Sequence, residues 1–270
     1  MVTKSEAVSK LKELSEIITK SREAYFNFNQ SVITDFEYDQ KISEFGKIIA
    51  KYPELEDEYK VLDQIGATPN SKFKKVKHLT PMYSLSNAFS NEDIYNFLKQ
   101  IRSFLDLSES ENIDLMFEPK IDGLSLSLIY KNGTLFQALT RGDGQIGEDV
   151  TENARLIADV PLSIPVKIDT LEIRGEVYFP NSTFTALNEE LKIKGGKTFS
   201  NPRNAASGTL RQFKSNKNIN KNLCFFAYSV GSAPYHLADS QAMLLKTFND
   251  LGFKTNNLSK VFSSVEKLLQ

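Results

Sequence analysis

The segment FEPKIDG at residues 117–123 places one lysine between two carboxylic acids. Side chains alternate between the two faces of an extended chain, so Glu118, Lys120 and Asp122 are expected to project on the same side. A lysine amine in this setting is a candidate nucleophile, and a bound cation or phosphate-facing charges would tune it. The same triplet also fits ordinary ion pairs on an edge strand, and a single K-x-D-G match does not decide between the two interpretations.

A second group of acids lies near the N-terminus. Asp35, Tyr38 and Asp39 stand at i, i+3 and i+4, which places them on one face of a helix that begins near Thr34. Acids in a first helical turn stabilise the positive end of the helix without any ligand. From spacing alone this simple interpretation is the safer one.

The segment GDGQIG at 142–147 matches the dinucleotide fingerprint G-x-G-x-x-G. A Rossmann turn requires a parallel strand before it and a βαβ unit around it. The preceding TLFQALTR is instead typical of the second arm of a hairpin. The glycines are therefore predicted to form a tight turn that sets Arg141 at the edge of a pocket.

Composition excludes several classes of protein. The 270 residues carry a formal net charge of −1, so any DNA contact must be local. One cysteine excludes an internal disulfide or a multi-cysteine zinc site within this chain, and two histidines disfavour a zinc hydrolase or a Ser-His-Asp enzyme. No run approaches the ~18 apolar residues of a membrane helix, and no secretory signal is present, so a cytoplasmic protein without membrane contact is expected.

The first part of the chain is predicted to be a helical hairpin. Apolar residues recur every three or four positions over 4–29, at Val8, Leu11, Leu14, Ile18, Tyr25 and Phe28. Thr34 and Glu37 form a capping box that opens a second helix, which should end before Pro53. We expect a helical domain over 1–65, bounded by the turn-rich IGATPNSKFKK.

Residues 66–270 are predicted to form an α+β domain with an antiparallel sheet. Short apolar runs follow Ile113, and Asn132-Gly133 between two of them is a strong hairpin signal. Helices are expected at 91–105, 148–158 and 182–191.

Four strings in order carry a family resemblance: KIDG, TRGDGQIGED from Thr140, LEIRGEVYFP from Leu171 and NPRNAASGTLRQF from Asn201. Together they resemble the NAD-dependent DNA ligases of bacteria, from the helical hairpin to about Gly231. The resemblance implies a helical domain that binds nicotinamide mononucleotide, followed by a nucleotidyltransferase (adenylation) domain built on antiparallel sheets.

The resemblance also implies a mechanism. In this family the motif lysine attacks the adenylyl phosphorus of NAD and expels nicotinamide mononucleotide, and the lysine-bound AMP then activates the 5′-phosphate of a DNA nick for sealing. Lys120 matches that catalytic nucleophile. The remaining nucleotide contacts implied are Glu118 at the adenine, Asp122 near the reacting centre, Arg141 by the ribose and phosphate, and Glu176 on the ribose or magnesium side.

Two further pairs are implied by the resemblance. Ser84 and Leu85, in SLSNAF, are candidate walls of the nucleotide pocket, although the string also fits a strand end before a helix cap. Arg203 and Arg211, eight residues apart, are candidate contacts to phosphate or nicked DNA, against the alternative of solvated charge.

The string DFEYD at 35–39 resembles the family motif that holds the mononucleotide half of NAD. An electron-rich ring and two carboxylates suit a cationic nicotinamide ring. The residues implied are Tyr25, Asp35, Phe36, Glu37, Tyr38 and Asp39. Phe26 stands where the family usually carries a histidine, and phenylalanine cannot donate a hydrogen bond to a phosphate.

NAD, Mg²⁺ and nicked double-stranded DNA are the cofactors and partners implied, with roles in replication and repair. The family's later lysine motifs, its OB-fold and its four-cysteine zinc module are not found before Gln270. We therefore expect an N-terminal portion of a ligase that binds NAD weakly and self-adenylates poorly. Two alternatives stay open, a nucleotide- or DNA-binding module without chemistry and an NAD-dependent oxidoreductase.

Overall fold

The computed structural model describes residues 4–28, 32–59, 73–212 and 222–269. The predicted α+β fold with antiparallel sheets is confirmed within these ranges. The helices are α1 (Lys4–Phe28), α2 (Asp35–Lys51), a 3-10 helix (Pro53–Glu58), α3 (Asn91–Leu105), α4 (Thr151–Ala154), α5 (Asn181–Ile193), α6 (Pro202–Leu210), α7 (Gln241–Asp250) and α8 (Val265–Leu268). The strands are β1 (Lys75–Lys77), β2 (Leu115–Phe117), β3 (Leu124–Lys131), β4 (Thr134–Thr140), β5 (Ile146–Glu148), β6 (Leu171–Tyr178), β7 (Cys224–Val230) and β8 (Lys260–Phe262).

The N-terminal helices α1 and α2 pack on one another as the apolar spacing predicts. Their shared core is formed by Leu11, Leu14, Ile18, Phe45, Ile49 and Leu55. The predicted capping box is present, because the Thr34 side chain accepts from the Glu37 amide while the Glu37 carboxylate accepts from the Thr34 amide. The predicted domain boundary at residue 65 lies outside the described residues.

A four-stranded antiparallel sheet with the order β4-β3-β6-β7 forms the centre of the second unit. The predicted turn between β3 and β4 is confirmed, with Asn132 at φ 49° and Gly133 at φ 78°. Positive φ at both central residues is the geometry that a two-residue hairpin needs and that Asn-Gly tolerates. This turn fixes the register of the two strands that carry Ser125 and Thr140.

One face of this sheet is covered by the large core. Tyr130 on β3 is fully buried there, with its ring edge-on to Phe253 at 5.7 Å between centroids. Its hydroxyl donates to the carbonyl of Pro161 at 2.7 Å, which satisfies the buried phenol. Burial raises the pKa of Tyr130, so it stays neutral.

Two small antiparallel sheets frame the central one. β1 pairs with β5, and β2 pairs with β8. The first fastens residues 75–77 to the end of the GDGQIG turn. The second holds Phe117, the residue just before Glu118, against Lys260 and close to Phe262.

The prediction of a helix over 148–158 was wrong in its extent. Glu148 belongs to β5, and α4 spans only Thr151–Ala154. The Val150 amide donates to the carbonyl of Ala138 at 2.9 Å, which holds the chain against β4 until just before α4 begins. The helix predicted at 182–191 is confirmed as α5, and the one at 91–105 as α3 behind the Ser90 cap.

Among the helices in the described ranges, none combines the length and the apolar character needed to cross a membrane.

Candidate functional site

The site is centred on Glu176 of β6, a carboxylate that is only 8% exposed. Ser125 lies opposite it on β3, and the Ser125 hydroxyl donates to Oε2 of Glu176 at 2.9 Å. Burial raises the pKa of Glu176, and the hydrogen bond from Ser125 partly offsets that rise. A buried acid on a rigid sheet is a strong local constraint on what can bind beside it.

The charges of three cations act on this acid. The charges of Arg203, Lys120 and Arg141 all lower the pKa of Glu176, which places these side chains within electrostatic reach of it. They come from α6, from the loop after β2 and from the end of β4. The structure thus brings together four of the predicted site residues, which are spread over the sequence from position 120 to position 203.

The sequence predicts an extended strand through residues 118–123, here called the KIDG loop. In the structure this loop does not continue β2. The strand ends at Phe117, and no residue from Glu118 to Gly123 is in a strand. Pro119 offers no backbone N–H with which to extend the ladder. Along this loop Glu118 is half-buried, whereas Lys120 and Asp122 are exposed.

Gly123 lets the KIDG loop run against β6. A Cβ at this position would lie 2.1 Å from the carbonyl oxygen of Val177 and 3.0 Å from Cγ of Glu176. Only a residue without a side chain can make this approach. The glycine of the motif therefore sets how closely Lys120 and Asp122 are carried past Glu176.

Asp122 and Arg203 form an ion pair at the mouth of the site. Nη1 of Arg203 donates to Oδ1 of Asp122 at 2.9 Å, and the Asp122 side chain is 66% exposed. Arg203 is placed by the start of α6, where the Asn201 side chain accepts from the Asn204 amide. This pair joins the KIDG loop to α6 at a point that solvent reaches.

The other acid of the motif, Glu118, is held by a residue that the sequence did not single out. Nε2 of Gln241, the first residue of α7, donates to Oε1 of Glu118 and to the carbonyl of Tyr228, each at 2.8 Å. Burial raises the pKa of Glu118, and the bond from Gln241 opposes this shift. The separation of 123 positions between the two partners explains why no local pattern predicts the contact.

An aromatic residue in the site was also missed. Burial raises the pKa of Tyr228 on β7, and the negative charge of Glu176 adds to the rise, while Ser125 and Arg141 act against it. The phenol is therefore neutral, and it lies within electrostatic reach of Glu176 and Arg141. The alternating string NLCFFAYSVG was the available signal, because a tyrosine in a sheet strand combines an apolar ring with a polar tip.

Arg141 lies at the start of the GDGQIG turn, where the predicted tight turn is confirmed by Gly142 at φ 58° and Gly144 at φ 91°. Nε2 of His78 donates to the carbonyl of Arg141 at 3.0 Å. His78 is buried, with its ring packed against the backbone of Gly147. A histidine just after β1 thus fixes the backbone of a site residue.

A second cationic contact fastens the segment before Ser84. Arg174 of β6 donates from Nη2 to the carbonyl of Thr80 at 2.6 Å and from Nη1 to that of Pro81 at 3.0 Å. Nε of the same guanidinium donates to the fully buried Glu172 at 2.9 Å. Ser84 and Leu85 follow this anchor and are both exposed, as residues of a pocket rim can be.

Arg211 makes a different contact from Arg203. It caps α6 at its C-terminal end, and its Nε and Nη2 donate to the two carboxylate oxygens of Glu148 at 2.7 and 2.8 Å. Glu148 is 2% exposed. The three lysines that follow it in the sequence, Lys214, Lys217 and Lys221, lie outside the described residues.

In the helical unit, Tyr38 lies at the fourth position of α2, and Nε of Arg22 on α1 donates to its hydroxyl at 3.3 Å. The carboxylate of Glu37 is engaged in the cap with Thr34, and these hydrogen bonds lower the pKa of Glu37. Asp39 is half-buried. The side chains of Tyr25, Asp35 and Phe36 lie outside the described part of the structure.

Within the described ranges, no three side chains of the His, Cys, Asp or Glu types come together as a metal site. Magnesium commonly binds through substrate phosphates and water with only one or two protein carboxylates.

Comparison with known proteins agrees with this geometry. The family model for the NAD-dependent DNA ligase adenylation domain matches residues 70–270. Curated DNA ligases of Rickettsia bellii and Bartonella tribocorum are 43% and 44% identical to the chain over 267 and 269 residues, which is 99% of this chain in each case. The chain spans 38% and 37% of the length of those two relatives. Because the family match covers most of the chain, this protein belongs to the NAD-dependent DNA ligases and contains their adenylation domain.

Proposed function

We propose that this chain carries out the NAD-dependent adenylation step of a DNA ligase, with Lys120 as the nucleophile. The observation that carries the proposal is the convergence of Lys120, Arg141 and Arg203 on the buried Glu176. Such a cluster suits a reaction in which an amine must approach an anionic phosphate. Phosphoryl and nucleotidyl transfers depend mostly on positioning and on neutralising phosphate charge.

The step transfers the adenylyl group of NAD to Lys120. Nζ of Lys120, as the free amine, attacks the adenylyl phosphorus of NAD and forms a P–N bond. The P–O bond to nicotinamide mononucleotide breaks, the mononucleotide leaves with the bonding electrons, and the amine proton passes to solvent. The product is a lysine–AMP phosphoramidate, which keeps the adenylyl group activated for transfer.

The other site residues have complementary tasks in this proposal. Arg141 and Arg203 face the phosphates, Glu176 positions the ribose, and Asp122 orients Arg203 beside the reacting phosphate. Glu118 accepts a hydrogen bond from the adenine, with Tyr228 as its aromatic neighbour. Ser84 and Leu85 close the rim of the nucleotide pocket.

The helical unit is proposed to hold the mononucleotide half of NAD. Tyr38 and Asp39 would contact it, with Tyr25, Asp35, Phe36 and Glu37 from the same motif. The ring of Tyr38 attracts a cationic nicotinamide, and its hydroxyl is oriented by Arg22. Mg²⁺, where required, would bind mainly to NAD phosphates and water, and its charge would lower the repulsion between phosphate and attacking group.

Transfer of AMP to a nicked DNA 5′-phosphate and sealing by the 3′-hydroxyl are the steps proposed for the whole ligase, in the cytoplasm where NAD and DNA occur together. Arg203 is the stronger candidate for a DNA or phosphate contact, because its acidic partner is exposed to solvent. Arg211 would have to give up the buried Glu148 to make the same contact.

The test is adduct formation by the chain itself. After long incubation with NAD and Mg²⁺, mass spectrometry should show an added adenylyl group on a fraction of wild-type molecules, and peptide mapping should assign it to Lys120. Lys120→Ala should show no adduct. Lys99→Arg, an exposed lysine on α3, is the matched control and should react as wild type does. An equal adduct in Lys120→Ala, or none in wild type at saturating NAD, would contradict the proposal.

A further inference from the structure

Gln241 occupies a constrained position between two walls of the site. It is the first residue of α7, whose start is fixed by Ser240, since the Ser240 hydroxyl accepts from the Met243 amide at 3.2 Å. From there its side chain reaches both the KIDG loop and β7. A side chain carried by a helix start and tied to a sheet strand has little freedom.

The orientation of its amide is determined by its partners. A carboxylate and a backbone carbonyl both only accept hydrogen bonds, so the group between them must be the NH₂ of Gln241 and not its oxygen. The two N–H bonds are used by Oε1 of Glu118 and by the carbonyl of Tyr228. Among the described residues, no hydrogen bond is made to Oε2, the other carboxylate oxygen of Glu118.

This arrangement acts on the protonation state of Glu118. Partial burial favours the neutral acid, which could donate a hydrogen bond, whereas the bond from Gln241 favours the carboxylate, which only accepts. A site that must recognise an amino group needs the acceptor form. Gln241 therefore favours the carboxylate form of Glu118, which can accept a hydrogen bond from the amino group of a purine.

We propose that Gln241 is a specificity-determining positioning residue, which holds Glu118 as an oriented acceptor and thereby selects adenine over a purine that presents an oxygen at the same place. The inference rests on the proposed function, because it takes Glu118 as the group that meets the base. Gln241 itself does not touch the nucleotide and acts through Glu118.

The test measures discrimination between AMP and IMP by isothermal titration calorimetry. IMP carries a carbonyl oxygen in place of the 6-amino group. An ionised Glu118 cannot form a hydrogen bond with that oxygen, because both groups only accept. Wild type should prefer AMP by at least about tenfold, the value of one charge-assisted hydrogen bond. Gln241→Met, which keeps the length but removes the donor, should lower this ratio several-fold.

A second substitution keeps the test informative if the first variant fails to fold. Gln241→Glu places a second carboxylate beside Glu118, and two such close acids share a proton. When that proton lies on Glu118, Glu118 is no longer an acceptor for an amino group, so the preference for AMP over IMP should fall. Gln100→Met, an exposed glutamine on α3, is the matched control and should keep the wild-type ratio. Thermal melting of each variant reports folding separately.

The outcomes separate this inference from the function on which it rests. If both Gln241 variants fold and keep the wild-type AMP-to-IMP ratio, Gln241 only ties α7 to β7, and the inference is overturned. If Glu118→Gln keeps the ratio as well, Glu118 does not read the base, and its proposed role fails. If wild type binds neither nucleotide while the Lys120 adduct is also absent, the proposed function itself fails.

Discussion

Two arginines at opposite ends of α6 make ion pairs in different surroundings. Arg203, near the start of the helix, pairs with Asp122 of the KIDG loop, where the two side chains are 18% and 66% exposed. Arg211, at the end of the helix, pairs with Glu148 of β5, where the values are 16% and 3%. The two arginine side chains are thus almost equally buried, and it is the exposure of their acidic partners that differs.

That difference separates an ion pair that is inexpensive to break from one that is costly to break. An acid in solvent loses little when its arginine turns to a phosphate, because water replaces the lost hydrogen bond. A buried acid has no such replacement, so its arginine cannot leave without a large penalty. One short helix therefore carries two arginines, one whose acidic partner is exposed in the KIDG loop and one whose acidic partner is buried in the β1–β5 sheet.

Breaking the buried pair should have the largest effect. Arg211→Met keeps the length of the side chain but leaves the Glu148 carboxylate buried without its guanidinium. The free energy of unfolding should fall by about 3–5 kcal/mol, the usual penalty for removing one partner of a buried pair. Urea unfolding followed by circular dichroism measures it.

The double variant Arg211→Met with Glu148→Leu is the control, since replacing a whole buried pair by apolar groups is often nearly neutral. It should recover most of the lost stability. A loss of less than 1 kcal/mol in the single variant would mean that Glu148 behaves as an exposed acid, and the contrast between the two ends of α6 would disappear.

His78 in the same buried region should make stability depend on pH. Its Nε2 donates to the Arg141 carbonyl, so the neutral ring carries its proton there, and Nδ1 is buried without a hydrogen-bond partner among the described residues. Burial lowers the pKa of His78, opposed by that hydrogen bond and by the charges of Glu172 and Asp143, and assisted by Arg174. The folded protein therefore resists protonation of this ring.

The sign follows from linkage. The unfolded chain protonates His78 below a pH of about 6.5, whereas the folded protein does so only at lower pH, so stability falls as pH falls through that range. One such group contributes a slope of at most about 1.4 kcal/mol per pH unit. Urea unfolding of wild type and His78→Gln between about pH 5 and pH 7 should show a flatter profile for the variant. Parallel profiles would show that His78 titrates in the folded state as freely as in the unfolded one.

Local signals predicted much of the scaffold. The Thr34–Glu37 box and the Asn132-Gly133 turn are each decided by residues within a few positions, and each is present. Such contacts depend on backbone geometry that a short sequence determines. The prediction for 148–158 was wrong because Glu148 is held in β5 by long-range partners that a local helical pattern does not include.

In the candidate site, too, residues within short motifs were predicted and their distant partners were not. Sequence motifs pointed to Lys120, Arg141, Glu176 and Arg203. The structure places the lysine and the two arginines within electrostatic reach of Glu176. The partners that orient the site were not predictable, since His78 and Arg141 are 63 residues apart and Gln241 and Glu118 are 123 apart. A buried hydrogen-bond partner is chosen by the folded packing, and a single sequence carries no direct record of it.

The smallest effect is expected at the exposed pair, and it completes the comparison at α6. Asp122→Asn removes the charge that faces Arg203 but keeps the shape of the side chain and an oxygen that accepts. The free energy of unfolding should change by less than about 1 kcal/mol, and that change should vanish in high salt, because solvent already screens the pair. Urea unfolding at low and high ionic strength measures both. A loss as large as that of Arg211→Met would mean that the KIDG loop is fixed by this ion pair, and Arg203 would then be no freer to meet a phosphate than Arg211.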